Sequence, residues 1–123
     1  MRINSGFVWE ETNLGDRHYW KCSRYSRRQV VSYAFLFVLG NEIWLEEIYT
    51  RHPFQRLGFG TELMKYIISS PPKRKRWIRL NIQPFGTRTL NREKLEVFYR
   101  KLGFRATKKR RHGSQIWELD TWK

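Results

Sequence analysis

Two hydrophobic periodicities alternate along this chain, and together they predict its elements. Residues 42–50 hold the β-forming run Ile43, Trp44, Leu45, Ile48, Tyr49 and Thr50, with Glu46 and Glu47 in its middle, which predicts a strand. The run passes through His52 and Pro53 into a short loop closed by Gly58-Phe59-Gly60. Beyond it Phe59, Leu63 and Ile67, flanked by Tyr66, recur at helical spacing until Ser70-Pro71-Pro72, where proline ends the helix. Residues 77–83 alternate, with Ile78, Leu80 and Ile82 on one face, so a strand packed beneath helices is predicted. After Pro84-Phe85-Gly86-Thr87 the helical period returns. Leu95, Phe98, Tyr99 and Leu102 form a stripe ended by Gly103, with Asn91 suited to the N-cap and Glu93 to the first turn.

The N-terminal third reads as strands. Phe7-Val8-Trp9 is a first strand and residues 13–16 a turn. Residues 18–25 and 29–39 are two more strands, and the short link Ser26-Arg27-Arg28 predicts an antiparallel hairpin. Gly40-Asn41 then turns into the central strand, so strands two, three and four form a meander. Two strands, residues 104–109 and 115–121, close the chain around residues 110–113. With no internal repeat and no second domain, residues 1–123 are expected to form one α/β domain of the α+β kind. Its mixed, mostly antiparallel sheet would have about six to seven strands and two main helices. The interval between strands one and two leaves no room for a helix pair.

The strand–loop–helix junction carries the first chemical signal. A glycine-containing loop opening a helix presents unpaired N–H groups at the positive end of the helix dipole, where a pyrophosphate is stabilised. Two glycines also serve a tight turn with no ligand. A dinucleotide fingerprint needs a third glycine and a downstream ribose acid, and this sequence, with Met64 in the helix, has no such arrangement; a nucleotide P-loop is excluded for want of its Lys-Ser/Thr pair. The longer frame Ile48-x-Thr50-x-x-x-Phe54-Gln55-Arg56-Leu57-Gly58-Phe59-Gly60 resembles the acetyl-CoA-binding motif of the GNAT acetyltransferase superfamily, a strand followed by Q/R-x-x-G-x-G/A. Thr50 and His52 stand where that family more often has Val and Pro.

A second motif agrees with the first. Phe98-Tyr99-Arg100-Lys101-Leu102-Gly103-Phe104 resembles the GNAT signature L/F-Y-x-x-x-G-F. The resemblance implies a GNAT fold with its N-terminal helix pair trimmed, leaving an open acceptor site, and acetyl-CoA as cofactor. Coenzyme contacts are then implied for Ile48, Tyr49, Thr50, Gln55, Arg56, Leu57, Gly58, Phe59, Gly60, Thr61, Asn91, Arg92 and Tyr99. The family usually has Asn seven residues before the tyrosine. Here that place holds Arg92, with Asn91 one position off.

Acetyl transfer from a thioester to an amine needs a neutral amine, a polarised carbonyl and a proton for the departing thiolate. In the family the signature tyrosine protonates the thiolate, which assigns Tyr99 as general acid; its other reading is a core tyrosine on the helical stripe. Glu46 and Glu47 sit mid-strand, where strand alternation points only one at the acceptor. The resemblance favours Glu46 as base, because in related acetyltransferases acidic or His residues at that offset from the glycine motif often serve so, directly or through water; either carboxylate could instead be a solvent-facing partner of nearby arginines. A backbone N–H near Tyr49 or Thr50 would polarise the carbonyl, where the resemblance implies that the central strand splays from strand five. His18, His52 and His112 read as surface or loop residues.

Charge adds a partner. Lys and Arg number 25 against 11 Asp and Glu, a net charge of +14, which predicts attraction to polyanions or acidic proteins. Arg51 and Arg56 are candidates for the coenzyme phosphates. Arg24, Arg27 and Arg28 on the first hairpin, with Lys108, Lys109, Arg110 and Arg111 on the last, predict a phosphate-tracking surface near the active site. The basic residues 73–76 fall at the far end of the first helix. Cys22, the sole cysteine, excludes a disulfide framework and a thiolate zinc site and reads as a small strand side chain; no metal site is expected.

These readings lead to an N-acetyltransferase whose acceptor amine lies on nucleic acid or on a nucleic-acid-associated macromolecule. An inactive nucleic-acid-binding module and an acetyltransferase of acidic proteins are the alternatives. With no secretory signal or long apolar span, a cytoplasmic monomer or homodimer without membrane contact is expected. The shortened architecture resembles compact phage-encoded members.

Overall fold

A computed structural model describes residues 6–15, 17–55, 57–82 and 92–122. Seven strands and two α-helices follow in the order β1 (Gly6–Leu14), β2 (Arg17–Ser26), β3 (Gln29–Leu39), β4 (Glu42–Thr50), α1 (Phe59–Ser69), β5 (Trp77–Asn81), α2 (Arg92–Lys101), β6 (Arg105–Arg111) and β7 (Ser114–Asp120). They form one sheet in the order β1-β2-β3-β4-β5-β7-β6. Every pairing is antiparallel except β4 with β5. Because β1 ends at Leu14 and β2 begins at Arg17, no helix pair lies between them.

One face of the sheet is covered by both helices. Registered pairs Ile43↔Ile78 and Leu45↔Leu80 bring apolar side chains to the parallel junction. Cys22, Ala34 and Leu36 extend that surface, and Leu63, Met64 and Ile67 of α1 with Tyr99 of α2 close it. Burying each of the three α1 side chains contributes about 1.5–3 kcal/mol, so the helical stripe read from the sequence is what docks α1. On the opposite face Tyr19, Phe37 and Trp44 lie side by side across β2, β3 and β4 with Ile116 of β7, and no helical side chain among the described residues joins them. Lys21 lies over the rings of Tyr33 and Phe35 at 5.1 and 5.6 Å on this same face.

Ion pairs clamp the end of the sheet where β4 and β5 begin. Arg79 of β5 donates to Glu42 of β4 and, at 3.1 Å, to Glu118 of β7, joining three strands. Arg76 pairs with Asp120 at 3.0 Å.

Several boundaries differ from those expected. β1 runs nine residues rather than three, paired along its whole length with β2; its polar half, Glu10 to Asn13, belongs to an edge strand whose pairing needs no apolar pattern. β5 ends at Asn81, and β6 begins and ends later than its apolar residues indicate. Residues 83–91, which include the Pro84–Thr87 exit and the Asn91 cap, lie outside the described residues, as does Arg56.

Cys22 is fully buried, and burial raises its thiol from 9.0 to about 12. As pH climbs past 9.0 the unfolded thiol ionises while the folded one holds its proton, so folding stability falls with rising pH across that interval. We expect Cys22→Ala to abolish this component. Urea midpoints should show the stability gap between wild type and variant narrowing by about 1–2 kcal/mol from about pH 8 to about pH 10.5; a constant gap would contradict it.

Candidate active site at the open end of the sheet

Among the described residues the β4–β5 ladder ends at Leu45↔Leu80, yet β4 continues to Thr50. From Glu46 onward, the edge of β4 that faced β5 has no strand against it among the described residues. α1 begins at the same end. Its N-cap is Gly58, in left-handed conformation with φ +86°, and the Glu62 N–H is the first to reach back, 3.0 Å from the Gly58 carbonyl. The N–H groups of Phe59, Gly60 and Thr61 precede that bond and have no carbonyl of the helix to meet. They form the positive end of its dipole.

The loop leading there is held to the strand. Gln55 Nε2 donates to the Thr50 carbonyl at 3.0 Å, and Phe54 packs edge-on against Phe59 at 5.9 Å. The two glycines differ in what they require. Gly58 needs its positive φ, whereas a Cβ on Gly60 would meet only Thr50 Oγ1 at an ordinary 3.5 Å. Gly60 is therefore not demanded by the packing of helix on strand. Leu57 is exposed, Tyr49 partly so, and Ile48 packs on the core.

Glu62 lies in the first turn of α1, where its charge would oppose an incoming phosphate. Arg24 neutralises it at 3.1 Å, its guanidinium lying 5.2 Å from the Phe7 ring centroid and 5.7 Å from that of Phe59. Arg24 is thus directed to the helix start rather than outward with Arg27 and Arg28. Those two occupy the β2–β3 turn with φ of +50° and +67°, the mirror-image turn that matches strand twist but that side chains adopt at a cost.

The two acids share a face. Phe35 pairs with Glu47 while Leu36 pairs with Leu45, so Glu46 is the extra residue of a β-bulge. The bulge cancels the alternation expected between Glu46 and Glu47 and turns both carboxylates to the face without helices. Glu46 there meets Arg111 at 3.7 Å, and the Arg111 guanidinium lies over the rings of Trp44 at 4.5 Å and Phe37 at 5.2 Å. Glu47 accepts a long hydrogen bond, 3.5 Å, from the Tyr33 hydroxyl. Burial, followed by the Glu47 charge and this hydrogen bond, raises the Tyr33 phenol above its ordinary value, so Tyr33 stays a donor to the carboxylate.

Tyr99 is 5% exposed. Its ring meets Phe98 and Phe104 edge-on at 5.1 and 5.6 Å, and burial raises its phenol well above the usual range. It is both a core residue and a phenol that keeps its proton. Arg92 opens α2, half-exposed, 3.6 Å from Glu96.

The basic segments sort by strand direction. The β2–β3 turn lies beyond Ser32↔Thr50, and the β6–β7 turn beyond Asn81↔Ile116, so both stand at the open end. Arg51 joins them there, its N–H 2.9 Å from the Val31 carbonyl. Within the β6–β7 hairpin Lys108, Lys109 and Arg110 are exposed while Arg111 turns inward. Residues 73–76 lie at the clamped end.

Sequence reasoning missed Tyr33, the inward turn of Arg111 and the pairing of Arg24 with Glu62. One signal was present: residues 31–38, VSYAFLFV, are apolar on both strand faces, so aromatic surface had to exist opposite the helices.

A family model described as an acetyltransferase (GNAT) domain matches residues 15–106. No curated protein matches the chain in sequence. Among solved structures, the ribosomal-protein-S18-alanine N-acetyltransferase of Escherichia coli is similar with a TM-score of 0.69 at 21% identity, over 88% of this chain and 72% of that one. The PaiA N-acetyltransferase of Thermoplasma acidophilum, in complex with coenzyme A, gives 0.63 at 15% identity, over 83% of this chain and 60% of that one. Arabidopsis thaliana Naa50, in complex with the bisubstrate analogue CoA-Ac-MVNAL, gives 0.62 at 16%, over 81% and 72%. The structural likenesses show the fold; with the family model spanning most of its length, the chain belongs to the GNAT acetyltransferases, acyltransferases that use acetyl-CoA.

Proposed function

We propose that this chain transfers the acetyl group of acetyl-CoA to a primary amine on a nucleic acid or on a macromolecule associated with one: a modified base, an aminoacyl-tRNA or a protein lysine. The observation that carries the reading is the gathering of Arg27, Arg28, Arg51, Lys108, Lys109 and Arg110 at the end of the sheet beyond the β4–β5 ladder. One coenzyme does not need that many cations, and phosphates of an acceptor would use the rest. A neighbour that acts on an alanine of a ribosomal protein makes a protein amine beside nucleic acid a concrete acceptor.

The residues present fit acetyl-CoA. The unpaired N–H groups of Phe59, Gly60 and Thr61 suit a pyrophosphate, and the absence of a Cβ at Gly60 leaves the backbone approachable. Once bound, the coenzyme supplies an acetyl thioester. Backbone N–H groups of β4 beyond Leu45 would polarise the thioester carbonyl. Either carboxylate can accept the proton of the incoming amine; Glu47 has a neutral hydroxyl partner, whereas Glu46 is held by Arg111, which favours Glu47. Tyr99, kept neutral by burial, holds the proton a departing thiolate takes.

The two glycines should separate fold from binding. Gly58→Ala should cost about 1–3 kcal/mol of stability by forcing a Cβ into the left-handed region. Gly60→Asp should remain folded yet weaken acetyl-CoA binding at least about tenfold by like charge at the helix start. Calorimetry on the folded Gly60→Asp protein checks this, and unchanged affinity would move the phosphates elsewhere.

Tyr99→Phe keeps the ring contacts and removes the proton. Turnover should drop on the order of 10²-fold with coenzyme affinity nearly unaltered; a steady-state assay giving wild-type turnover would leave Tyr99 with a packing role only.

The acceptor class is tested by thiol release against nucleic acids, tRNAs and proteins, together with salt titrations of nucleic-acid binding. Replacing Lys108, Lys109 and Arg110 with Ala should flatten the log–log salt slope by about 2 to 3 units while coenzyme binding is maintained. Thiol release on acidic proteins alone, with no salt-dependent nucleic-acid binding, would transfer the acceptor to protein.

A further inference from the structure

The clamped end of the sheet holds a second basic surface, and it is built differently. Residues 73–76 supply four consecutive cations, of which Lys73 and Arg74 are exposed. Arg76 is the structural one. Besides pairing with Asp120, its guanidinium lies 4.7 Å from the Trp77 ring centroid and 5.5 Å from that of Trp122. Trp122 is 66% exposed.

An indole so exposed is ordinarily free to swing, but the backbone here is fixed. The Thr121 N–H donates to the Arg76 carbonyl at 2.8 Å, its hydroxyl to the Lys75 carbonyl at 2.7 Å, and the Trp122 N–H to Asp120 Oδ1 at 3.0 Å. The segment that carries the indole is thereby tied to the basic one. Arg79 beside it is occupied by Glu42 and Glu118, and Arg76 by Asp120, so the charge left to meet a partner is that of Lys73, Arg74 and Lys75.

A preorganised aromatic ring next to cations that have no acidic partner among the described residues matches one partner chemistry. Unpaired bases stack on aromatic side chains while lysine and arginine follow the phosphates; a duplex hides its base faces, and an acidic peptide or lipid headgroup offers charge without a flat π surface. We propose that Trp122, backed by Arg76, and residues 73–75 form an anchoring site for single-stranded nucleic acid, at the opposite end of the sheet from the acetyl-transfer site. The assignment does not rest on the acceptor proposed above: it stands if the acceptor proves to be a protein.

The test is fluorescence anisotropy of a labelled oligouridine of about 20 nucleotides with the full chain, beside three competitors: a duplex of equal length, heparin, and phosphatidylserine vesicles. Trp122→Ala should weaken oligouridine binding at least about 5-fold and leave heparin binding unchanged, while Trp122→Phe retains most of the affinity. Ala at Lys73, Arg74 and Lys75 should flatten the oligouridine salt slope by about 2 units. Acetyl-CoA affinity, read by calorimetry, should be equal in wild type and both Trp122 variants, which also reports that they are folded. Equal weakening of oligouridine and heparin by the triple variant, with no effect of Trp122→Ala, would reduce the surface to a general polyanion patch. Trp122-dependent binding to vesicles but not to oligouridine would assign it to a membrane. Either result overturns the proposal.

Discussion

The parting of β4 from β5 is the constraint on which the rest depends. A parallel pair shares hydrogen bonds only while both strands keep one direction, and here the shared stretch is four residues, Glu42 to Leu45 against Trp77 to Leu80. Apolar packing under α1 and the Arg79 pairs to Glu42 and Glu118 hold that stretch shut. Among the described residues the remainder of β4 then has no partner on that edge while still bonded to β3, which holds the edge in place. The start of α1 and the bulged acids inherit their positions from this one divergence.

The two faces of the sheet are finished by different physics. Beneath the helices, aliphatic side chains interlock and non-directional burial does the stabilising. On the other side the rings of Phe37 and Trp44 lie beneath a guanidinium, and those of Tyr33 and Phe35 beneath the Lys21 ammonium. Interactions of this kind each contribute on the order of 0.5–2 kcal/mol. They cover aromatic area while keeping polar groups within reach of whatever approaches Glu46 and Glu47.

Elements with a period were legible from the residues alone. The stripes through Leu63 and Ile67 and through Leu95, Phe98 and Tyr99 gave both helices, and Gly58, whose φ only glycine adopts freely, marked the start of the first. The bulge was not legible, because an inserted residue leaves the composition of a strand unchanged and shows only in its partner's register; it reversed the expectation that Glu46 and Glu47 point apart. Closeness in sequence groups Arg24 and Arg111 with other arginines, yet their partners, Glu62 and Glu46, are distant along the chain. Glu62 and Phe59 reach Arg24 through the docking of α1, and Glu46, Phe37 and Trp44 reach Arg111 across the face of the sheet. Polar edge strands escape a reading by pattern for a related reason: Glu10 to Asn13 pair through the backbone, which every residue carries.

Arg111 has a wider consequence. On the sheet face that no described helix covers, arginine serves as roofing: Phe37, 1% exposed, is among the residues beneath the Arg111 guanidinium. Part of the positive charge is therefore architectural, since removing the Arg111 side chain would bare the rings of Phe37 and Trp44. Basicity at this position is thus also a means by which so small a domain keeps its rings dry.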